Sequence, residues 1–171
     1  YFDVDEFAHL HWGYSFLIGE KPYTDFFYLF PPFFLFPIAA IISVFGRSIS
    51  AIIAARVFIF LIFCITCLLL FILAKKMRNT QTALLAVIIF AFLPLPYDKL
   101  LEVRPDLLAT LLSLTGIYLF SLSESKYRGK LLFISGLLIS SSLAVVPKTV
   151  FFLIPVLAVL VYKIIRAIIF N

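Results

Sequence analysis

Charge is scarce in this sequence. Of 171 residues only 14 are basic and 9 acidic, too few to clothe a soluble core of this size, because charged side chains are almost never buried unpaired and must supply the shell. An ordinary soluble globular domain is excluded. Cysteine is confined to Cys64 and Cys67, a CITC stretch inside an apolar run. That setting lacks the polarity and access that a disulfide or a redox turn requires, so both are read as small hydrophobes. No Gly-rich phosphate loop, Ser nucleophile elbow or HExxH occurs, which leaves soluble-nucleotide chemistry without support. The net charge of +5 does not point to nucleic acid either. The basic residues fall singly or in threes between apolar runs and form no face that could neutralise a phosphate ladder. The chain opens at Tyr1 without an initiator Met, a basic n-region or a cleavage signal, so an upstream segment is expected.

What the chain has is apolar length. Apolar residues make up 64% of it against about 45–50% in soluble domains, and its mean hydropathy is +1.15. At about 20 residues per crossing there is room for roughly five spans. The first segment, Val4 to Ile18, is too polar to cross. Phe7, Leu10, Tyr14 and Leu17 or Ile18 share one face while Asp5, Glu6, His9 and Gly13 share the other, the pattern of an interfacial helix. Gly19 and Pro22 then break the chain. Phe33 to Phe45, opened by Pro31 and Pro32 and closed by Gly46, is short for a span and reads as a second interfacial helix. Five transmembrane helices are predicted after it: Ser50 to Ala74, Thr82 to Leu95 (ended by Pro94 and Pro96), Leu107 to Leu122 (opened by Pro105), Leu131 to Val146, and Val150 to Tyr162, the last kinked at Pro155.

The basic residues set the orientation. Lys75, Lys76 and Arg78 lie on the same side as Lys126, Arg128 and Lys130 two spans later, and as Lys163 and Arg166, which makes that side cytoplasmic. Eight of the nine acids, Asp3, Asp5, Glu6, Glu20, Asp25, Asp98, Glu102 and Asp106, then face outward, with Glu124 alone inside.

Three outer constellations stand out. Asp5, Glu6 and His9 fall within one helical turn, where a carboxylate suits a general base and the histidine can tune it or share a metal; a solvated polar face with acids favouring the helix dipole is the plain alternative. In EVRPD, Arg104 and Asp106 sit at a span mouth, either facing a bundle interior or acting as a cap and a snorkelling anchor. Lys148, and less clearly Arg56, are cations near the outer end against the positive-inside bias, which suggests a lipid phosphate partner; the alternatives are snorkelling for Lys148 and an intramembrane ion pair for Arg56. The outer aromatics Trp12, Tyr14, Tyr23, Phe26, Phe27 and Tyr28 suit a membrane belt better than a sugar-stacking platform.

DEFAHLHWGYSFLIGEKPYTDFFYLFPPF resembles the first extracytoplasmic loop of GT-C glycosyltransferases of the protein-mannosyltransferase and aminoarabinose-transferase kind, through Asp5, Glu6, Gly19, Pro22, Tyr23, Asp25, Phe26 and Pro32. EVRPD and VPK before later spans resemble the family's second-loop acid and donor-side lysine. The resemblance implies an all-α polytopic transmembrane bundle with interfacial juxtamembrane helices on the extracytoplasmic side: residues 1–48 as the outer loop and 49–171 as about five helices, with the first transmembrane helix and the C-terminal part lying outside this chain. It implies a sugar transferred from a polyprenyl-phosphate donor to an acceptor glycan, lipid or protein hydroxyl, by single inverting displacement, at an outward-facing site in a bacterial inner membrane. Asp5 would be the general base with Glu6 beside it. His9, Tyr23, Asp25, Glu102, Arg104, Asp106 and Lys148 would contact substrates, Arg104 and Lys148 steadying the departing lipid phosphate, and Asp5 with His9 could hold a divalent metal ion. Tyr28, Leu29 and Phe30 depart from the polar residues that relatives carry after DFF. The rival class is a polytopic lipid or solute carrier, or a non-catalytic glycolipid-binding protein; a carrier would place ionisable groups near mid-membrane, and here they gather at the outer ends.

Overall fold

The computed structural model describes residues 3–93, 102–122 and 128–169. Pro94, Pro96, Asp98, Glu124 and Lys126 lie outside the described residues, as do the side chains of Arg128, Lys163 and Arg166. The described chain is helical, with seven α-helices and no strand among the described residues.

Helix α1 (Val4–Leu17) starts on a capping box: Asp3 accepts from the Asp5 amide at 2.9 Å, and Glu6 Oε2 accepts from the Asp3 amide at 3.2 Å. These bonds satisfy donors that any helix start leaves open. The burial of α1 is opposite to that of a soluble amphipathic helix. Its polar face, Glu6, His9 and Gly13, is buried against the protein, whereas Phe7, Leu17 and Ile18 point outward. A tight loop follows, turning at Gly19 (φ 93°) and Tyr23 (φ 70°). A 3-10 turn, Pro32–Phe34, leads into α2 (Leu35–Phe45), and α1 can lie close on α2 because a side chain at Gly13 would collide with Ile38.

Helix α3 (Ile49–Met77) is 29 residues long, about 43 Å at 1.5 Å per residue, which exceeds the roughly 30 Å hydrocarbon core of a bilayer. Its buried residues, Ala51, Ala55, Ile59, Ile62 and Thr66, form one stripe at helical spacing. Ile53, Val57, Leu61, Ile65 and Leu68 remain exposed. Asn79 caps α4 (Thr80–Phe92) through the Thr82 amide at 2.8 Å, folding α4 back on α3. Helix α5 (Asp106–Leu122) packs most closely on α6 (Arg128–Leu143) and also contacts α3. A 3-10 segment, Pro147–Phe152, then precedes α7 (Leu153–Ile169). The core joins these elements through Phe34, Ile38, Ala55, Ile59, Val103, Ala109, Val145 and Val146.

Of the five expected spans, α3 is the one described helix long and apolar enough to cross a membrane, and the other apolar helices among the described residues run to 10–17 residues. Two expectations are corrected. Helix α6 ends at Leu143 instead of Val146, because Val145 and Val146 turn inward to fill the core. Pro155 does not kink a span: it is the third residue of α7, in the first turn, where a missing amide donor is tolerated, and the break lies before it in the 3-10 segment.

Candidate active site

The start of α1 delivers two adjacent carboxylates to different tasks. Glu6, 1% exposed, is held by Arg56 of α3: Nε donates to Oε1 at 2.8 Å and Nη2 to Oε2 at 2.6 Å. The Val103 amide donates to Oε1 at 3.2 Å, and the Asp3 amide fills Oε2. Each carboxylate oxygen therefore receives two donors, which uses the roughly four lone-pair sites of the group. Burial pushes this carboxyl up, but the hydrogen bonds from Arg56, Asp3 and Val103 and the Arg56 charge outweigh it, so it stays below its ordinary value of 4.5. Glu6 is thus an anchor, joining α1 to α3 and to the strand of chain before α5.

Asp5 points the other way, with its side chain 54% exposed, and meets Arg104 Nη1 at 2.7 Å through Oδ2. Its Oδ1 has no partner among the described residues. Arg104 is central to an acidic set: Glu102 Oε2 lies 3.7 Å from Nη1 and Asp106 Oδ2 3.4 Å from Nε. Lys148, at the start of the second 3-10 segment, pairs with the other oxygen of Asp106. Charges from α1, the α5 mouth and the Pro147–Phe152 segment thereby alternate in one row. Glu102, Arg104, Asp106 and Lys148 line a cavity of about 430 Å³ whose remaining wall is largely apolar, with Phe90, Leu107, Phe151 and Phe152.

His9 takes no part in that row. It is 4% exposed and enclosed by Trp12, Tyr28, Phe30 and Phe34, the nearest centroids being Trp12 at 5.3 Å and Phe34 at 5.4 Å. Burial lowers its pKa to about 4. Its Nδ1 has no partner among the described residues. The expected metal pair therefore does not fit a divalent ion: aromatic rings surround His9, Arg104 pairs with Asp5, and no three His, Cys, Asp or Glu side chains among the described residues are placed to hold a metal ion together. Tyr28, also in the aromatic box, is 1% exposed, and burial raises its phenol above the ordinary value.

Tyr23 and Asp25 shape the loop and do not line the cavity. Tyr23 Oη donates to the Phe30 carbonyl at 2.5 Å, and Asp25 accepts from the Lys21 amide at 2.7 Å. The residue that sequence reasoning left undecided is Arg56. Its signal was present: a cation inside a long apolar helix is costly unless paired, and α1 offers the carboxylate. The Val103 amide carried no sequence signal.

A family model described as dolichyl-phosphate-mannose-protein mannosyltransferase matches residues 30–170, starting after α1. No curated protein and no solved structure matches the chain. With that match extending from the loop before α2 through the α5 mouth and Lys148 into α7, the chain belongs to the dolichyl-phosphate-mannose-protein mannosyltransferase family, a family of membrane glycosyltransferases of the GT-C type.

Proposed function

We propose that this chain is the catalytic part of a multi-pass membrane enzyme that moves a sugar from a polyprenyl-phosphate donor to an acceptor hydroxyl at an extracytoplasmic site, in a bacterial inner membrane. Residues 1–48 form the outer loop and residues 49–171 the helical bundle. The observation that carries this reading is the row Asp5, Arg104, Asp106 and Lys148, whose last three members line a cavity with apolar walls and whose first is joined to them through Arg104. A lipid phosphate needs both halves of such a site: cations for its oxygens and apolar surface for its chain. The charged row and the Glu6–Arg56 pair gather at one end of the molecule, while Lys76 Nζ meets Ser121 at the other, 3.3 Å from its Oγ. That polarity supports antiparallel crossings with the Lys75, Lys76 and Arg78 end cytoplasmic.

In the reaction, the donor phosphate takes Arg104 and Lys148 from their carboxylate partners, and Asp5 is released. The acceptor oxygen attacks the anomeric carbon from the side opposite the phosphate. A new C–O bond forms as the C–O(phosphate) bond breaks, its electron pair leaves with the phosphate, and the acceptor proton passes to Asp5. One displacement inverts the anomeric centre. Arg104 and Lys148 stabilise the charge that grows on the leaving phosphate. Glu6 positions Asp5 by fixing the first turn of α1 to Arg56.

The test is transfer of radiolabelled sugar from a panel of polyprenyl-phosphate sugars by membranes holding the full-length protein, beside Asp5→Asn. We expect release of polyprenyl phosphate from one donor and a loss of at least about 10²-fold in the variant, the scale of a positioned general base. Undiminished turnover in Asp5→Asn removes Asp5 from the mechanism. A folded, inserted protein that consumes no donor moves the carrier or glycolipid-binding reading ahead.

A further inference from the structure

A second cavity, about 350 Å³, lies between α1 and the Gly46–Ser48 link that joins α2 to α3, and it shares no lining residue with the first. Arg47 and His11 are its basic residues, and no Asp or Glu lines it. Arg56, Arg104 and Lys148, the other cations described at this end of the molecule in contact with the site, each face a carboxylate. Arg47 has no ion pair among the described residues. Its guanidinium lies 4.6 Å from the centre of the Tyr14 ring, and a ring face accepts no hydrogen bond in the guanidinium plane, so the N–H fork stays available. The link itself is open: a side chain at Gly46, where φ is 64°, would meet nothing within 4 Å. Ser48 turns its hydroxyl to the Phe45 carbonyl at 2.8 Å and leaves the α3 start without a side-chain cap, which adds partial positive charge beside Arg47.

The walls are of the opposite character. Phe7 and Ile49 line the cavity and are 50% and 70% exposed, and Ile53 carries the apolar surface on along α3. An uncompensated arginine fork beside a continuous apolar surface is complementary to a phosphodiester that carries acyl chains. A free anion would use the fork alone. We infer that this cavity binds the phosphodiester headgroup of an anionic phospholipid, with Arg47 as its cation and the Phe7 and Ile49 surfaces against its acyl chains. This site goes beyond glycosyl transfer and does not depend on it.

The test is native mass spectrometry of the full-length protein released from detergent, titrated with phosphatidylglycerol or with phosphatidylcholine of the same chains. We expect a preferred phosphatidylglycerol adduct, weakened about tenfold in Arg47→Gln, the scale of losing one charge-assisted pair. Arg47→Lys should keep part of the preference, and this separates loss of the guanidinium from loss of the fold. Lys148→Gln should leave the adduct unchanged. The inference is overturned if phosphatidylcholine binds equally, if the adduct survives Arg47→Gln, or if Lys148→Gln abolishes it, since the lipid would then sit in the first cavity. Displacement of the adduct by inorganic phosphate overturns it as well, because the site would then select a free anion.

Discussion

A histidine enclosed by four aromatic rings must be neutral to stay there, and this governs how α1 responds to acid. In the unfolded chain His9 takes a proton near pH 6.5; in the fold burial lowers that to about 4. Between these values the unfolded state holds the extra proton, so stability rises with pH across the window. The contribution is complete above pH 6.5 and is lost as the pH falls toward 4, on the order of 3 kcal/mol by the usual conversion. Trp12, the single tryptophan, lies 5.3 Å from His9 and reports the change. Its fluorescence should shift as α1 loosens between pH 6.5 and 4, and His9→Phe, which keeps the ring and removes the proton site, should flatten that titration; an unaltered titration in the variant would assign the acid response elsewhere. Sequence reading placed Asp5, Glu6 and His9 on one turn. It did not divide their tasks, since the partners that bury Glu6 stand 50 and 97 positions away at Arg56 and Val103, and three of the four rings that box His9, Tyr28, Phe30 and Phe34, lie beyond α1, where helical spacing does not reach.

At the scale of elements, the contact of α5 with α6 rests on small residues. Ala109, Ser113 and Gly116 form the buried face of α5. Ser113 donates to Ser142 at 2.8 Å, Ser135 donates to the Gly116 carbonyl at 2.7 Å, and Ser142 lies 3.2 Å from Thr149, beside Lys148. A Cβ at Gly116 would stand 2.5 Å from Ile139 Cγ1 and 3.0 Å from the Ser135 carbonyl oxygen, and backbone cannot give way as a flexible side chain can. Gly116→Val should therefore destabilise by about 1–3 kcal/mol, the usual scale of overpacking, seen as a lower midpoint of thermal unfolding in detergent. Gly129→Ala, where added carbon meets nothing within 4 Å, is the control and should not lower it. Equal midpoints for Gly116→Val and the parent would mean that α5 and α6 do not approach this closely. Helix existence was legible from apolar runs broken by Gly, Pro and basic clusters. Helix ends were less so: Ser50 to Ala74 became Ile49–Met77, and α6 stopped short of Val146. Hydrophobicity says that Val145 and Val146 are buried, and a turn into the core buries them as well as a helix does.

For the whole molecule the question is which end faces which side of the membrane. The helices keep a narrow stripe of small and branched residues inside and place Ile, Leu and Phe outward, an arrangement that water disfavours over so large an area and lipid does not. A helix of about 43 Å exceeds the hydrocarbon core, so α3 must carry the outer loop and the Lys75, Lys76 and Arg78 cluster to opposite sides if it crosses. Cys64 and Cys67 lie within α3 and are free, so Cys64→Ala with Cys67→Ala gives a background without thiols. In that background, Thr24→Cys reports an exposed position in the loop after α1 and Lys76→Cys one in the last turn of α3. A membrane-impermeant maleimide applied to intact cells should label Thr24→Cys at once and Lys76→Cys only after permeabilisation. Labelling of both from outside would place the loop after α1 and the basic end of α3 on one side, and the proposed outward-facing site, which depends on the acids of α1 and the α5 mouth lying opposite the basic cluster, would fall with it. The opposite pattern, Lys76→Cys alone from outside, would keep the crossing and reverse its direction, leaving the row of Asp5, Arg104, Asp106 and Lys148 on the cytoplasmic side.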